Sequence, residues 1–116
     1  MRRFVSLYFT TESGRAPVRE FVSTLHIRTR QAFFRTRELL EENGPMLAEP
    51  HCKKIDAHHG IYELRFSGIE GRVRIFYFFF DQEYIVFTNG FIKKRQDIPR
   101  NEIKTAIIRK RTYLER

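Results

Sequence analysis

The centre of the chain contains two closely spaced segments with alternating side chains, and these segments constrain the fold most. They are Tyr62-Glu63-Leu64-Arg65-Phe66 and Arg72-Val73-Arg74-Ile75-Phe76-Tyr77-Phe78-Phe79-Phe80. Because successive side chains of a strand point to opposite faces of a sheet, this period of two predicts β-strands. Short turns at residues 67–71 and 81–82 connect them to each other and to a third strand over Tyr84–Phe91. We therefore predict a sheet of consecutive antiparallel strands.

The rest of the chain predicts one more strand, a short extended piece that the element order below does not count, and three helices. Alternation over residues 5–9 predicts a strand, and Lys53-Lys54-Ile55 predicts a short one. Helices are predicted over Pro17–Leu25, from about Arg28 to Glu42, and from Pro99 to about Leu114. Asn43-Gly44-Pro45 ends the second helix, because glycine accepts a left-handed C-cap and proline cannot continue a helix. The order β-α-α-β-β-β-α predicts one α+β domain over residues 1–116, with a small antiparallel sheet and helices on one face.

The charge of the chain favours an anionic partner. There are 22 Lys and Arg residues against 14 Asp and Glu residues, which gives a net charge of +8 at pH 7. Nucleic acids, acidic proteins and anionic membrane surfaces all suit such a charge, and solubility alone also explains it. Because the cations are concentrated rather than evenly spread, we favour a nucleic acid.

Cysteine content and hydropathy predict a protein of the reducing cytoplasm. Cys52 is the only cysteine, so no intramolecular disulfide and no thiolate zinc cluster is expected. No segment approaches the ~20 apolar residues of a membrane-spanning helix. The apolar stretch over residues 4–9 is too short and too polar for a signal peptide. We expect no metal, no cofactor and no membrane partner.

Arginines alternate with apolar residues in both central strands, which predicts a basic face on the sheet. If the strands pair, Arg65, Arg72 and Arg74 share this face, with Glu63 as their counter-ion. An ordinary solvated sheet face explains the same pattern. Further basic residues flank these strands, namely Lys53, Lys54, Lys93, Lys94 and Arg95. Arginine binds phosphate through two parallel hydrogen bonds, lysine adds a point charge, and an aromatic ring such as that of Tyr84 stacks on an unpaired base.

Four motifs follow one another along the second half of the chain. They are Gly60-Ile61-Tyr62-Glu63-Leu64-Arg65, then Arg72-Val73-Arg74-Ile75-Phe76-Tyr77, then Asn89-Gly90-Phe91-Ile92-Lys93-Lys94, and finally Pro99 with Glu102, Ile103 and Ala106. Each motif is weak alone, but in this order and spacing they resemble the RelE/HigB toxin superfamily, in particular its phage-derived, HigB-like branch. The motifs cover roughly residues 54–113, and the predicted element order extends the resemblance to the whole chain.

The resemblance implies a RelE/ParE-like fold and the toxin of a type II toxin–antitoxin pair. Such toxins are usually endoribonucleases (mRNA interferases) that cut mRNA in the ribosomal A site. The reaction needs no metal, because the 2′-hydroxyl attacks the adjacent phosphate. The implied partners are mRNA on the ribosome and a small antitoxin, expected to be a HigA-like helix-turn-helix protein. Two alternatives stay open: a ParE-like inhibitor of DNA gyrase that cuts no RNA, and an inactive prophage-derived binding protein.

The resemblance also implies roles for individual residues. Arg65 and Arg74 match basic residues of the family's sheet face and are expected to bind the phosphate. Lys94 matches a further basic active-site position, and Lys54 is the fourth catalytic candidate. Glu63 is expected to support them by orienting Arg65, with a role as general base as the alternative. The residues expected to contact RNA around them are Lys53, Arg72, Lys93, Arg95 and Tyr84.

The groups that move protons are the least defined part of the predicted site. Neighbouring cations lower the pKa of a lysine and so make its proton easier to release. His58 and His59 lie in the turn before the Glu63 strand, and histidine side chains titrate near neutral pH. We favour a solvent-exposed polar turn as the explanation of the two histidines, with a proton shuttle as the alternative.

Overall fold

A five-stranded sheet forms the centre of the computed structural model, which describes residues 3–94, 96 and 99–116. The elements are β1 (Val5–Tyr8), α1 (Pro17–Ser23), α2 (Ile27–Asn43), a 3₁₀ turn (Gly44–Met46), β2 (Cys52–Asp56), β3 (Ile61–Gly68), β4 (Gly71–Phe80), β5 (Tyr84–Lys93) and α3 (Arg100–Leu114). The predicted α+β class is confirmed. The short strand predicted at residues 53–55 is a full member of the sheet, so the order β-α-α-β-β-β-β-α contains one strand more than predicted.

The ends of α2 are set by the residues that flank it. At its start, Nδ1 of His26 accepts a hydrogen bond from the backbone N–H of Arg28, which satisfies one of the free donors of the first turn. At its end, the N–H of Gly44 donates to the carbonyl oxygen of Leu40, and Gly44 has a φ of +54°, where glycine is favoured. The predicted stop signal is therefore confirmed. None of the helices in the described part of the chain is long and apolar enough to cross a membrane.

The strand order in the sheet is β1-β5-β4-β3-β2. Strands β2 to β5 pair antiparallel, as predicted, but β1 runs parallel to β5. The predicted antiparallel sheet is confirmed for β2 to β5, and the parallel pairing of β1 departs from it. Parallel neighbours need a long connection between them, and here all the elements from α1 to β4 supply it. The alternation of residues reports which face a side chain occupies and carries no information on strand direction.

Helices cover both faces of the sheet, so the prediction that they pack on one face is wrong. Helices α1 and α2 pack on the face that carries Leu64, Ile75 and Phe87. Helix α3 packs on the opposite face, where its Ala106 belongs to the same buried cluster as Phe76. The physical reason is that β4 is apolar on both faces, and a strand of this kind needs a packing partner on each side.

Helix α3 covers only part of its face of the sheet. Near its start, Nδ2 of Asn89 in β5 donates to the carbonyl oxygen of Glu102 at 3.1 Å and to Oε1 of Glu102 at 2.9 Å. Near its end, the ring of Tyr113 packs against the rings of Phe78 and Phe80. The helix therefore runs toward the end of β4, and the first half of β4 lies beyond its N-terminus on the same face.

Candidate nucleic-acid interface

Five basic residues and one glutamate lie together on the part of the sheet that α3 leaves uncovered. These residues, which we call the cationic cluster, are Lys53, Glu63, Arg65, Arg72, Arg74 and Lys93. In the strand ladders Lys53 is opposite Glu63, Arg65 is opposite Arg74, and Arg72 is opposite Lys93. Opposite residues and residues two apart along a strand point to the same face. The prediction that the three arginines share one face is therefore confirmed.

Glu63 is the buried centre of the cationic cluster, with 0% of the residue exposed. Its Oε1 accepts a hydrogen bond from Nε of Arg65 at 2.9 Å and lies 3.6 Å from Nε of Arg74. Arg74 is itself buried, and its Nη1 donates to the carbonyl oxygen of Val73 at 3.0 Å. A buried charge is tolerated when an opposite charge compensates it. The counter-ion role predicted for Glu63 agrees with these contacts.

The cationic cluster changes the ionisation of two of its members. Burial lowers the pKa of the Arg74 guanidinium; Glu63 opposes this change, and Arg65 and Arg72 add to it. Burial likewise lowers the pKa of Lys93, with Glu63 opposing and the same cations adding to the effect. Lys93 therefore lies within the electrostatic field of the cluster. Lysine loses its proton far more easily than arginine, so Lys93 is a candidate proton donor of this site.

The sequence contains two lysine pairs, and the cationic cluster takes one member from each. Lys53 and Lys93 lie on the cluster face. Lys54 pairs with Tyr62 instead, and its Nζ lies 5.4 Å from the centre of the Tyr62 ring. The prediction that Lys54 joins the catalytic arginines is wrong, because neighbours along a strand point to opposite faces. Lys94 follows the last residue of β5 and is exposed.

Tyr84 lies far from the cationic cluster. It is the first residue of β5, whereas Lys93 is the last, and nine strand residues span about 30 Å. Its ring packs beside that of Phe80, with 6.2 Å between the ring centres. Tyr84 therefore does not lie beside the arginines, and its contact with RNA stays a prediction. Arg95, the other predicted RNA contact after β5, lies outside the residues that the structure describes.

His58 and His59 also lie away from the cationic cluster, in the turn between β2 and β3. Nδ1 of His59 is 3.2 Å from Oδ1 of Asp56, and the carbonyl oxygen of His59 accepts a hydrogen bond from Nζ of Lys110. The contact with Lys110 joins the turn to the C-terminal half of α3. Arg65 lies about 13 Å further along β3 than the first residue of that strand. The interpretation of the two histidines as a polar turn is therefore supported, and that of a proton shuttle at the cluster is wrong.

Three contacts around the cluster were not predicted from the sequence. Oε1 of Glu49 lies 3.6 Å from Nη1 of Arg65, and the Glu49 side chain is 69% exposed. Glu49 belongs to the loop before β2, and no periodic pattern connects a loop residue with a strand. Asn89 and Glu102 hold the start of α3 next to the cluster. Asn89 and Glu102 lie in the third and fourth of the sequence motifs described above, and this was the only indication in the sequence that they position α3.

The chemistry of the cationic cluster suits a phosphodiester. Guanidinium groups form paired hydrogen bonds with phosphate oxygens, and lysines add positive charge around them. The N-terminus of α3 borders the same region, and helix N-termini also favour anions. Among the residues that the structure describes, no group of three or more His, Cys, Asp or Glu side chains is arranged to hold a metal ion.

A comparison with protein families identifies the family of the chain. Residues 20–111 match the model of a family of the toxin–antitoxin, RelE/HigB-like type. That family is described as phage derived protein Gp49-like (DUF891), and because the match covers more than half of the chain, the chain belongs to it. No curated protein matches the chain significantly. Assignment to the HigB-like branch stays a prediction.

Proposed function

We propose that the chain is the toxin of a type II toxin–antitoxin system and that it cuts mRNA on the ribosome. Membership of the Gp49-like family supports the toxin class. The nuclease activity rests on one observation: Arg65, Arg74 and Lys93 converge on an open face around the buried carboxylate of Glu63. Such a face offers hydrogen-bond donors for a phosphate next to a lysine whose pKa is lowered by burial.

In the proposed reaction, the 2′-hydroxyl gives its proton to solvent water and its oxygen attacks the adjacent phosphorus. The bond from phosphorus to the 5′-oxygen breaks, and that oxygen takes a proton from Lys93. The products are a 2′,3′-cyclic phosphate and a 5′-hydroxyl. Negative charge develops on the phosphate oxygens in the transition state. Donors that are already oriented stabilise this charge without the cost of reorganising solvent. Arg65 and Arg74, held by the β3–β4 ladder and by Glu63, are the residues assigned to this task.

Lys93 is the proposed proton donor to the departing 5′-oxygen. General acid catalysis contributes on the order of 10²–10⁴-fold, so the remaining acceleration comes from charge stabilisation and from orientation of the RNA. Glu63 is fully buried, and we therefore assign it to orienting the arginines and not to accepting the proton of the 2′-hydroxyl. Lys94, exposed beside Lys93, is proposed to contact a neighbouring phosphate.

The ribosome is proposed to supply the in-line geometry of the attack. The cationic cluster lies on an open sheet face, which binds a phosphate without fixing the direction from which the 2′-hydroxyl approaches it. We therefore expect little cleavage of free RNA by the isolated protein. A small antitoxin, proposed to be a HigA-like helix-turn-helix protein, neutralises the toxin, and the toxin–antitoxin type of the family supports such a partner.

The test of the proposed function is 5′-end mapping of transcripts after brief induction, with and without a block of translation. We expect cuts inside translated frames that disappear when translation is blocked. The R65A variant, expressed to the same level, serves as the control without cleavage. Growth arrest with intact mRNA would contradict the proposal and favour the gyrase-inhibitor alternative, and absence of growth arrest would favour the inactive binding protein.

A further inference from the structure

Arg65 contacts two carboxylates that differ completely in exposure. On its inner side, Nε donates to Oε1 of Glu63 at 2.9 Å, and the Glu63 side chain is 0% exposed. On its outer side, Nη1 lies 3.6 Å from Oε1 of Glu49, whose side chain is 69% exposed. An exposed ion pair of this length is weak, whereas breaking a buried pair is strongly destabilising. The two glutamates therefore affect the same arginine in different ways.

The inner contact leaves two buried atoms without hydrogen-bond partners, Oε2 of Glu63 and Nε of Arg74. Arg74 is nevertheless ion-paired with Glu63, with 3.6 Å between Nε and Oε1. One buried carboxylate thus compensates two guanidinium groups and fully satisfies neither itself nor Arg74. Buried polar atoms without partners are costly in folded proteins, and such costs are typical of functional sites.

We propose that Glu63 is a positioning residue for phosphate binding and that Glu49 occupies the position of the phosphate. Glu63 holds Arg65 through Nε, so that the two Nη groups point outward as donors. Glu49 contacts one of these donors from the solvent side, as a phosphate oxygen does when RNA binds. This inference rests on the proposed binding of RNA at the cationic cluster, and it adds opposite roles for its two acidic neighbours.

Simple electrostatics predicts the same effect for both glutamates. Removing either negative charge near the cationic cluster strengthens the attraction of a polyanion. The positioning role predicts different effects. E49Q removes a competitor of the phosphate and tightens binding. E63Q keeps an acceptor oxygen but loses the charge, so it holds Arg65 less firmly and weakens binding.

The experiment measures the Kd of the full chain for a single-stranded oligoribonucleotide with 2′-O-methyl sugars, which cannot be cleaved through the 2′-hydroxyl. We expect E49Q to bind up to about fivefold more tightly, as the loss of an exposed ion pair allows. We expect E63Q to bind about tenfold more weakly, as the loss of an oriented charge-assisted hydrogen bond requires. Binding by E63Q that equals or exceeds that of the unmodified chain would overturn the proposal.

Two further variants show whether weaker binding by Glu63 variants comes from a lost positioning of Arg65 or from a loss of the folded structure. E63D keeps the charge but shortens the side chain, and it should also bind more weakly, so binding at the level of the unmodified chain counts against the proposal. In the R65A background, E63Q should change Kd by a smaller factor than in the unmodified chain, because only Arg74 remains for Glu63 to orient. An undiminished effect in that background would show that Glu63 does not act through Arg65.

The outcomes also distinguish this inference from the proposed nuclease. E49Q, the unmodified chain and E63Q could bind the oligonucleotide with the expected order of affinities while the unmodified chain cuts no mRNA on the ribosome. That result would support the positioning role and contradict the nuclease. An NMR signal for the Nε–H group of Arg65 provides a readout without any RNA. That signal should exchange slowly with solvent in the unmodified chain and measurably faster in folded E63Q, whose neutral amide oxygen is a weaker acceptor. Slow exchange in both would contradict the positioning role.

Discussion

Arg65 and Arg74 lie directly opposite each other in the β3–β4 ladder, and both guanidinium groups contact the carboxylate of Glu63. Like charges directly opposite each other in a ladder are destabilising, so the buried negative charge between them is needed. The Arg65 side chain is 21% exposed, whereas that of Arg74 is 9% exposed. This difference in exposure separates the contribution of each arginine to activity from its contribution to folding.

Alanine variants of the two arginines should therefore behave differently. R65A should abolish cleavage at a smaller cost in the free energy of unfolding than R74A, because the Arg65 side chain is the more exposed of the two and Arg74 still lies next to Glu63. R74A should abolish cleavage and also lower the free energy of unfolding by about 3–5 kcal/mol, the typical cost of breaking a buried ion pair. Urea denaturation and 5′-end mapping of mRNA measure the two effects. Growth arrest by a folded R65A variant would exclude Arg65 from the catalytic site.

The neighbouring lysines of β2 provide a matched pair for RNA binding. Lys53 is opposite Glu63 on the cationic cluster, whereas Lys54 is opposite Tyr62 on the other face. K53A should reduce the slope of log Kd against log salt concentration by about 0.7, as expected for one lost phosphate contact with a single strand. K54A should leave that slope unchanged. Titrations of a non-cleavable oligoribonucleotide at several salt concentrations measure it, and equal slopes for the two variants would contradict the assignment of faces.

The proposed role of Lys93 predicts the alkaline side of the pH profile of cleavage. A proton donor must be protonated, so the rate should fall as pH rises through the pKa of Lys93, which lies below the ordinary value of 10.5. K93R keeps the positive charge but does not release its proton, so it should bind RNA and cut it slowly at every pH. Single-turnover cleavage on purified ribosomes measures the profile. A K93R variant with the unmodified rate would show that the donor is another group.

Glu70 predicts an acid-sensitive contribution to stability. Its carboxylate accepts hydrogen bonds from the hydroxyl of Thr29 and the backbone N–H of His26, and so ties the β3–β4 turn to the start of α2. These hydrogen bonds, that of Thr29 foremost, hold the pKa of Glu70 below its ordinary value of 4.5. A lowered pKa gives stability that is fully present above 4.5 and is lost as pH falls through the folded-state pKa.

The test is the melting temperature of E70Q as a function of pH. E70Q should melt below the unmodified chain at neutral pH, and the difference should narrow as the pH falls below 4.5, where the unfolded carboxyl is protonated. T29A should reproduce the loss at neutral pH, because it removes one of the two hydrogen-bond donors. A difference between E70Q and the unmodified chain that is constant with pH would contradict the role of the ionised carboxylate.

The sequence-based predictions were correct where the interactions are local in sequence and wrong where they join residues far apart in sequence. The helix end at Gly44 and the common face of Arg65 and Arg74 were correctly predicted, because both depend on residues close in sequence. The predicted position of Tyr84 beside the arginines was wrong, because that position depends on the direction and length of β5 in the sheet. The contact of Glu49 with Arg65 joins a loop to a strand, and no local pattern reports it.

The sequence by itself determined the α+β class, most of the elements and the basic face of β3 and β4, because alternation and capping are local properties of the chain. Only the tertiary structure decided that helices cover both faces and that β1 runs parallel to β5. It also decided that Lys53 and Lys93, and not Lys54, accompany the arginines. The physical reason is that strand register and packing arise from contacts between residues far apart in sequence.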